Sequence, residues 1–434
     1  FCYFSLVINL FHTIFFLFNL CLPNSYFIFA LKIIIRIMKT IFKQITTLSF
    51  LSIMLISCET SYVDIPADDE VLDGTIDGLS NEELARFLKG DVAFTEVFTR
   101  QTGLGSTFVA TSCISCHAGD GKGHPFTTLI RFGQADEFGN TFLHLGGPQL
   151  QNRALPGYTP EQIPFGATFS KFTPPANTGL GFLQYLTDAD ILAMADPNDS
   201  DGDGISGVPN WITIPSYINP ENAVNQNGKY IGRFGKKAAA FNLLHQTVNA
   251  YNQDMGITST FNPIDVYTNE EIDPEVANVT VNDLVFYLKT LKAPIQRNQN
   301  DTEVIQGRNL FEQINCTGCH KSNLTTGYSP ITGLSFKSFS PYTDMLLHDM
   351  GSGLDDGYTE GIAKTYEWRT PPLWGLGLSA NSQGGQYFLM HDGRARSIEQ
   401  AISMHGGEAT GSRTAFNSLS QADKNAVLKF LKSL

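Results

Sequence analysis

Apolar residues recur at spacings of three and four in four stretches of the chain, which predicts four amphipathic helices. Two of these stretches, NEELARFLKGDVAFTEVF and EVIQGRNLFEQIN, each precede a cysteine-rich motif. The other two are VNDLVFYLKTLKAP, which Pro294 ends, and LSQADKNAVLKFLKSL, where Ser420 is placed to cap the helix. Loops rich in Gly, Pro and Asn fill residues 120–270, and strand signals such as WITIP are few. The pattern therefore predicts a mostly helical protein with long loops.

The order of helix, cysteine motif, variable middle and closing helix occurs twice. We therefore expect one unit over residues 81–295 and a second over residues 302–434, with QRNQNDT as the linker between them. The first unit is the larger because the long loops lie within it.

The first 80 residues predict export and anchoring. Residues 1–37 contain no Asp or Glu and do not begin with Met, so we expect spurious upstream translation, with the true start at Met38. In residues 38–57, Lys39 and Lys43 precede the apolar run ITTLSFLSIML, the order of a bacterial signal peptide. Its end, LISC, resembles a lipobox and predicts a lipid on Cys58; an uncleaved membrane helix is the alternative. Residues 58–80 are acidic and aperiodic, as in a tether. We expect a lipid-anchored protein of the bacterial cell envelope that faces the periplasm.

The charge of the remaining chain excludes one class of partner. The first 57 residues hold four of the 29 Lys and Arg and none of the 42 Asp and Glu, so the remainder has a net charge of −17. Such a surface repels a phosphate backbone, and we expect no nucleic-acid binding. It favours a basic redox partner such as a small cytochrome, although a solvated acidic surface has the same composition.

Four of the seven cysteines form two Cys-x-x-Cys-His motifs, CISCH at residues 113–117 and CTGCH at residues 316–320. Two thiols about one helical turn apart can each form a thioether with one vinyl group of a haem. The adjacent histidine then reaches the iron, so we assign His117 and His320 as iron ligands. Zinc ribbons and thioredoxin-like sites also use Cys-x-x-Cys, without needing the histidine. The motifs predict two covalently attached haem c groups. The attachment residues are Cys113, Cys116, Cys316 and Cys319.

The stretch DPNDSDGDGISG partly matches a calcium-binding loop. Asp199, Asp201 and Asp203 occupy positions 1, 3 and 5 of such a loop, and Gly204 stands where the sharp turn is needed. Position 12 is Asn210, where the full motif has a bidentate Glu. We expect a calcium ion here, and a solvated Asp/Gly turn is the alternative.

Several further stretches carry a family resemblance from about residue 85 to the end. They are CISCH, DSDGDGISGVPN, RFGKKA, CTGCH, TDMLLHDMGSGL, EWRTPPLWGLG, HDGRARSIEQAISMHGGEA and the final helix. With them the chain resembles the bacterial di-haem oxidoreductases, which are described as peroxidases or thiol oxidoreductases and are related to di-haem cytochrome c peroxidases. The resemblance implies a mainly α fold with two cytochrome c-like haem domains facing each other and long loop insertions in the first. It also implies one haem for substrate and one for electron transfer.

The same resemblance implies a second axial ligand for the C-terminal haem. In the peroxidase relatives, a His-Asp-Gly stretch precedes that ligand, commonly Met, by fourteen residues; counting from His391 gives His405. The residues agree, because His405 continues the apolar face of the predicted helix and a Gly pair ends that helix. Met404 is the alternative ligand, and a surface histidine is a further possibility. Imidazole in place of a thioether generally lowers the reduction potential. The Thr-x-Pro that usually precedes His-Asp-Gly is also absent, which removes the usual calcium ligands.

The first haem has no equally clear sixth ligand, because His124 and His144 lie in Gly-rich loops. An open iron suits peroxide chemistry, which needs a polar group to move a proton between the two oxygens. The stretch GGPQLQNRALPG offers Gln149, Gln151 and Arg153 as candidate catalytic residues, and a solvated loop is the alternative.

Other polar and aromatic residues leave several roles open. Trp368 and Trp374 either pack in the core or contact a porphyrin. Arg394 and Arg396 either pair with haem propionates or lie on the surface. His348 belongs to the resemblance but has no role that the residues themselves indicate.

The favoured function is a di-haem oxidoreductase that reduces a small oxidant such as hydrogen peroxide at the first haem, with electrons supplied through the second. A non-enzymatic electron carrier is the alternative if both irons are six-coordinate. A haem enzyme that acts on a protein or thiol substrate is a third hypothesis.

Overall fold

The structure is a computed structural model that describes residues 29, 32–33, 35–47 and 67–434. The chain divides into two compact units, Phe1–Ile65 and Pro66–Leu434. In the first unit, residues 35–47 are helical and exposed. Cys58, residues 48–57 of the predicted signal peptide and residues 58–66 of the predicted tether lie outside the described residues. Within the described ranges, no helix has the length and apolar character that a membrane span requires.

Residues 67–434 contain ten α-helices, and the predicted cap at Ser420 is present. Ser80 and Glu83 form a capping box at the first helix. Ser420 caps the last by accepting a hydrogen bond from the backbone N–H of Asp423, which confirms the predicted start. The helices are α1 (Asn81–Thr95), α2 (Leu180–Gln184), α3 (Asp188–Met194), α4 (Leu243–Asn249), α5 (Asn278–Thr290), α6 (Thr302–Gln313), α7 (Ser379–Ser382), α8 (Ile398–Ser403), α9 (Thr410–Ser418) and α10 (Gln421–Ser433).

Ten short strands pair into five antiparallel ribbons across the same residues. The pairs are β1 (Thr107–Phe108) with β3 (Arg153–Ala154), β2 (Leu129–Phe132) with β4 (Phe169–Phe172), β5 (Trp211–Ile212) with β6 (Tyr230–Ile231), β7 (Leu324–Thr325) with β8 (Ser338–Phe339), and β9 (Leu347–Asp349) with β10 (Glu367–Arg369).

The predicted fold class, mainly α with two cytochrome c-like haem domains, is wrong. Only 36% of the chain is helical and 10% is in strands, so small ribbons and irregular connections carry much of the structure. The sequence hides these ribbons because strands of two to four residues are too short to show a period of two. Their partners also lie far away along the chain; Leu129 of β2, for example, pairs with Phe172 of β4.

Two helix pairs repeat the same close contact. Helix α1 packs on α5 and α6 packs on α10, and a glycine lies at each crossing. A Cβ atom on Gly90 would lie 2.2 Å from the Asp283 carbonyl oxygen, and a Cβ on Gly307 would lie 2.0 Å from that of Ala426. Only glycine permits this approach. Four residues later, Phe94 of α1 and Phe311 of α6 each bring a ring to the same side of the crossing.

Two hydrophobic cores lie behind the helix pairs. The larger contains Phe94, Tyr287 and Leu284, together with residues from the C-terminal half such as Leu334 and Trp374. The smaller is built from the helices around the second motif, with residues such as Phe311 and Phe430. The predicted boundary between residues 295 and 302 stays a prediction, since Pro66–Leu434 form one compact unit.

Candidate functional site

Each Cys-x-x-Cys-His motif lies in the wall of its own cavity. The first cavity, about 260 Å³, is lined by Cys113, Cys116 and His117. The second, about 210 Å³, is lined by residues 316, 319 and 320, the cysteines and histidine of the second motif. Since the cavities form at the motifs in both halves, the motifs are the local centres of two comparable sites.

The motif histidines are held in the same way. The Nδ1 atom of His117 lies 2.8 Å from the carbonyl oxygen of Pro175, and Nδ1 of His320 lies 2.8 Å from that of Tyr342. A hydrogen bond from Nδ1–H to a carbonyl leaves Nε2 with its lone pair free, which is the usual state of a metal-bound histidine. Burial lowers the pKa of each imidazole to about 4, so both are neutral and able to bind a metal near pH 7.

An aromatic ring from the preceding helix accompanies each of these histidines. The ring centroids of Phe94 and His117 are 6.3 Å apart, and those of Phe311 and His320 are 6.2 Å apart. The interplanar angles, 51° and 49°, are also alike. The helix pairs therefore orient the two imidazoles equivalently.

Burial disfavours the thiolate form of three of the four motif cysteines. Burial raises the pKa of Cys113 to about 12 and that of Cys316 to about 12, and it raises the pKa of Cys116 to about 11. A zinc site or a redox-active dithiol needs the thiolate form, which this environment disfavours. Neutral sulfur, as in a thioether, suits both cavities.

Besides His320, three histidines line the second cavity: His348 and His391, which bond to carboxylates, and His405. His405 follows α8, and Ile398, Ala401 and Ile402 of that helix line the same cavity, which confirms the predicted shared face. Its Nδ1 lies 2.8 Å from the Ala401 carbonyl oxygen, and burial lowers its pKa. The alternative ligand, Met404, does not line the cavity.

Two methionines that the sequence analysis did not consider, Met350 and Met390, also line the second cavity. Neither lies near His405 in sequence, so the count from His391 could not reach them.

The first cavity is more polar than the second. Its wall includes α4 and the π-helical turn Ala250–Asp254 that continues this helix. Asp254 lies in this wall, and burial raises its pKa to about 6. The same wall carries buried hydroxyl oxygens that have no hydrogen-bond partner among the residues that the structure describes. They belong to Thr173, Thr178, Thr247 and Tyr251.

The predicted catalytic residues of the first site lie behind this wall rather than in it. Gln149 donates to the carboxylate of Asp254 and to the Gln253 carbonyl oxygen at 3.2 Å. Gln151 accepts from the Thr107 hydroxyl at 2.5 Å. Arg153 is exposed on β3. The two glutamines thus position the π-helical turn, and the catalytic role predicted for all three stays a prediction.

The sequence did not indicate a role for Asp254 and Tyr251 at this site. Both follow a helix, α4, whose cavity-facing side has apolar and polar residues. Leu243, Thr247 and Tyr251 recur at a spacing of four and face the cavity. Polar residues on an otherwise apolar helical face are the signal that could have identified them. His144, by contrast, is exposed, and the ring centroid of His124 lies 4.6 Å from that of Phe388, outside the cavity lining.

His348, which had no role in the sequence analysis, joins two carboxylates beside the second motif. Its Nε2 lies 2.8 Å from Asp344 and its Nδ1 lies 2.7 Å from Glu408. Burial opposes charge on this imidazole, but these bonds outweigh burial and raise its pKa well above the usual value. Its Nδ1 also lies 3.7 Å from the sulfur of Cys319. Because both ring nitrogens bond to carboxylates, His348 holds Asp344 and Glu408 in place beside the second motif.

The two tryptophans named in the sequence analysis line the cavities, whereas the two arginines do not. Trp374 lines the first cavity and Trp368 the second. Arg394 forms ion pairs with two carboxylates, and the guanidinium of Arg396 lies 3.9 Å from the ring centroid of Phe388. Neither arginine lines a cavity.

The aspartate loop only partly matches the predicted calcium ligand set. Carboxylate oxygens of Asp196, Asp199 and Asp201 lie within 4.8 Å of one another. Asp203 instead accepts a hydrogen bond at 3.4 Å from Asn315. The side chain of Asn210 is fully buried and donates to two carbonyl oxygens elsewhere. Calcium binding stays a prediction.

The residues of both cavities fit a haem group. Each offers two cysteine sulfur atoms and a neutral imidazole with a free Nε2. The partly apolar wall of the first cavity suits the face of a large planar ligand. The unpartnered hydroxyls in that wall suit polar groups at the edge of such a ligand. Lys122, Lys236 and Arg369 line both cavities and provide positive charge for carboxylate groups.

Comparison with known proteins agrees with this chemistry. The family model described as "Di-haem oxidoreductase, putative peroxidase" matches residues 171–434, and the chain belongs to this family. Family membership implies haem cofactors and an oxidoreductase activity. The matched range contains the second motif but begins after the first, so it is shorter than the resemblance that starts near residue 85.

The other comparisons add no argument about function. The search of curated proteins found no match. Among solved structures, a chain of Kuenenia stuttgartiensis hydrazine synthase, pressurised with xenon, is 15% identical and covers 87% of this chain and 98% of its own. Its TM-score of 0.38 is too low to support a shared fold.

Proposed function

We propose that this protein is a periplasm-facing di-haem c-type peroxidase that is anchored to the cell envelope through a lipid on Cys58. The motif cysteines would hold both haems by thioethers, with His117 and His320 as iron ligands. The observation that carries the proposal is the difference between the cavities. The second has His405 in its wall beside the motif histidine, whereas His117 is the only histidine that lines the first among the described residues.

This difference separates the two roles. His405 as a second axial ligand would close the second iron, which suits electron transfer. The first iron would keep a position for peroxide. Peroxide reduction consumes two electrons and two protons and yields two molecules of water, so the site needs an electron supply and a basic group that takes a proton from one peroxide oxygen and gives it to the other.

Asp254 is the residue best suited to move that proton. A bound haem would supply the iron that binds peroxide and would pass on the two electrons that the redox partner provides. The Asp254 carboxyl, with a pKa raised to about 6, exchanges protons near neutral pH, which favours general acid–base catalysis. Gln149 holds one of its oxygens. Arg131 and Glu360 also lie in this wall, where they neutralise each other in an ion pair with 2.9 Å between Nε and Oε1.

The electrons would come from a redox partner such as a small basic cytochrome, because the body of the protein is acidic. A calcium ion at Asp199, Asp201 and Asp203 would link the loop to Asn315 beside the second motif. The test of calcium binding is a chelator-dependent fall in the melting temperature.

Spectroscopy on the natively matured protein tests the proposal. We expect intact mass to include both haems, and EPR of the ferric protein to show one high-spin and one low-spin haem. Adding hydrogen peroxide should change the high-spin signal, and a reduced cytochrome should be oxidised in steady-state assays. Two low-spin signals that peroxide leaves unchanged would contradict the peroxidase proposal.

A second candidate function, a non-enzymatic electron carrier, is favoured by one observation. Met255, buried to 2% exposure, lines the first cavity and is a potential thioether ligand. Replacing it by Ala distinguishes the two functions. If the first haem is low spin and becomes high spin only in Met255→Ala, the protein is an electron carrier; if it is high spin in both, the peroxidase proposal stands.

A further inference from the structure

Four residues line both cavities, and three of them are cationic. They are Lys122, Lys236, Arg369 and Leu376. The three cationic residues come from different parts of the chain: Lys122 from the segment after the first motif, Lys236 from the RFGKKA stretch, and Arg369 from β10. Since the same side chains face both cavities, a charge at this position acts on both sites. We call Lys122, Lys236 and Arg369 the shared cation cluster.

The backbone of the shared cation cluster is fixed by hydrogen bonds. The N–H of Arg369 donates to the Lys236 carbonyl oxygen at 3.0 Å, and the Arg369 Nε–H donates to the Gly235 carbonyl oxygen at 3.0 Å. The hydroxyl of Ser382 donates to the Lys122 carbonyl oxygen at 2.8 Å. The three side chains are therefore presented by a fixed scaffold.

No carboxylate of the described residues neutralises this cluster by an ion pair, although the nearest ones are close enough to affect its charges. Burial lowers the pKa of Arg369 and that of Lys236; the negative charge of Asp344 partly opposes the first shift and that of Asp392 partly opposes the second. Both are already committed, because Asp344 bonds to His348 and Asp392 to Arg394. The lysine ammonium groups have no protein hydrogen-bond acceptor among the described residues.

Without a bound anion, the unpaired positive charge of the shared cation cluster is energetically unfavourable. Burial, followed by the charges of Lys122 and Arg369, lowers the pKa of Lys236 to about 7. Burial also lowers the pKa of Lys122 to about 8. Buried like charges without counter-ions are costly unless an anion binds between them.

We propose that the shared cation cluster is one anion site that receives propionate carboxylates from both haems and so sets both reduction potentials together. This inference rests on the proposed function, because it requires both haems to be present. It assigns to this cluster the role that the sequence analysis considered for Arg394 and Arg396, which the structure pairs with Asp356, Asp392 and Phe388 instead.

A cation near a haem favours the reduced state, since reduction adds a negative charge. Removing one member of the shared cation cluster should therefore make both haems harder to reduce. For a one-electron couple, a tenfold fall in the reduction equilibrium corresponds to about 59 mV.

Spectroelectrochemical titration of Lys236→Gln tests the proposal. We expect both midpoint potentials to fall, each by about a tenfold change in the reduction equilibrium, or about 59 mV. Lys236→Arg keeps the charge and should leave both potentials near those of the parent. Lys171→Gln, which removes a lysine from the exposed face of β4, is the matched control and should change neither.

Lys122→Gln provides an independent variant, because the Lys122 side chain makes no hydrogen bond within the described residues. It should lower both potentials in the same direction. Potentials that match the Lys171→Gln control, or a fall at one haem only, would overturn the shared site. Intact mass separates this outcome from failure of the proposed function: a protein without two haems refutes the function, whereas a two-haem protein with unmoved potentials refutes only the shared site.

Discussion

The two cavities start from the same local motif and differ in what the rest of the chain places opposite it. Both have a motif histidine with Nδ1 bonded to a carbonyl, and both have a phenylalanine ring about 6 Å from that histidine. The second cavity then adds His405 and is otherwise largely apolar. The first adds Asp254 and unpartnered hydroxyls. Two motifs with equivalent local geometry are therefore surrounded by different chemical groups, which come from residues distant in sequence.

The largest expected effect comes from removing the thiols of either motif. Replacing Cys113 and Cys116 by Ser, or Cys316 and Cys319 by Ser, should each remove one of the two haems and abolish peroxide turnover. Intact mass and haem absorbance measure this directly. Full haem content in either double variant would contradict covalent attachment at that motif.

Asp254→Asn tests the chemistry that we assign to the first cavity alone. Losing a general acid–base group should reduce kcat for peroxide by about 100-fold without changing the spectrum of the second haem. Because burial raises the pKa of Asp254 to about 6, kcat/KM of the parent should rise as the pH passes through 6 and the carboxyl loses its proton. The Asn variant should lack this rise.

Asp120→Asn is the matched control for this variant. Burial raises the pKa of Asp120 to about 6 as well, but Asp120 bonds to the Tyr287 hydroxyl at 2.9 Å and lines neither cavity. Its replacement should leave kcat and the pH profile unchanged. Equal losses in both variants would show that buried charge in general, and not Asp254, controls turnover.

His405→Ala tests the feature that distinguishes the second cavity. We expect the low-spin EPR signal of one haem to convert to high spin, because an axial ligand is lost, while the first haem keeps its signal. His405→Met should restore a low-spin haem with a higher reduction potential. Met404→Ala, next in sequence but outside the cavity, should change neither signal, and a spectral change there with none in His405→Ala would favour Met404 as the ligand.

The smallest effect is expected at the helix crossings, where the two halves are alike. Gly90→Ala and Gly307→Ala place a Cβ within 2.2 Å and 2.0 Å of a carbonyl oxygen, and each should lower the free energy of unfolding by about 1–3 kcal/mol. Thermal unfolding would measure both. Gly411→Ala, in α9 with nothing within 4 Å, is the control and should not destabilise the protein. A loss confined to one variant would show that the crossings are not equivalent.

Helix starts and helical faces, which depend on nearby residues, agree with the predictions from the sequence. The helix after Ser420 begins where its cap predicts, and Ile398, Ala401, Ile402 and His405 share the predicted face. The predicted fold class is wrong because ribbons of two to four residues form only through partners far along the chain, and such pairing has no local period.

The candidate catalytic residues show the same limit. The position of Gln149 and Gln151 in a Gly-rich loop after the first motif predicts that they face the first haem. In the structure their side chains bond to the π-helical turn, and Asp254 of that turn faces the cavity instead. More than 130 residues separate Asp254 from the first motif, so no spacing rule connects them.

The sequence by itself determined the two Cys-x-x-Cys-His motifs and the helices beside them, because motif spacing and helix capping depend only on residues within a few positions of each other. Tertiary structure alone decided which residues face each motif and brought Lys122, Lys236 and Arg369 between the cavities. The reason is physical: the polarity and charge around an iron site are summed over every side chain within reach, and folding, rather than order along the chain, decides which side chains those are.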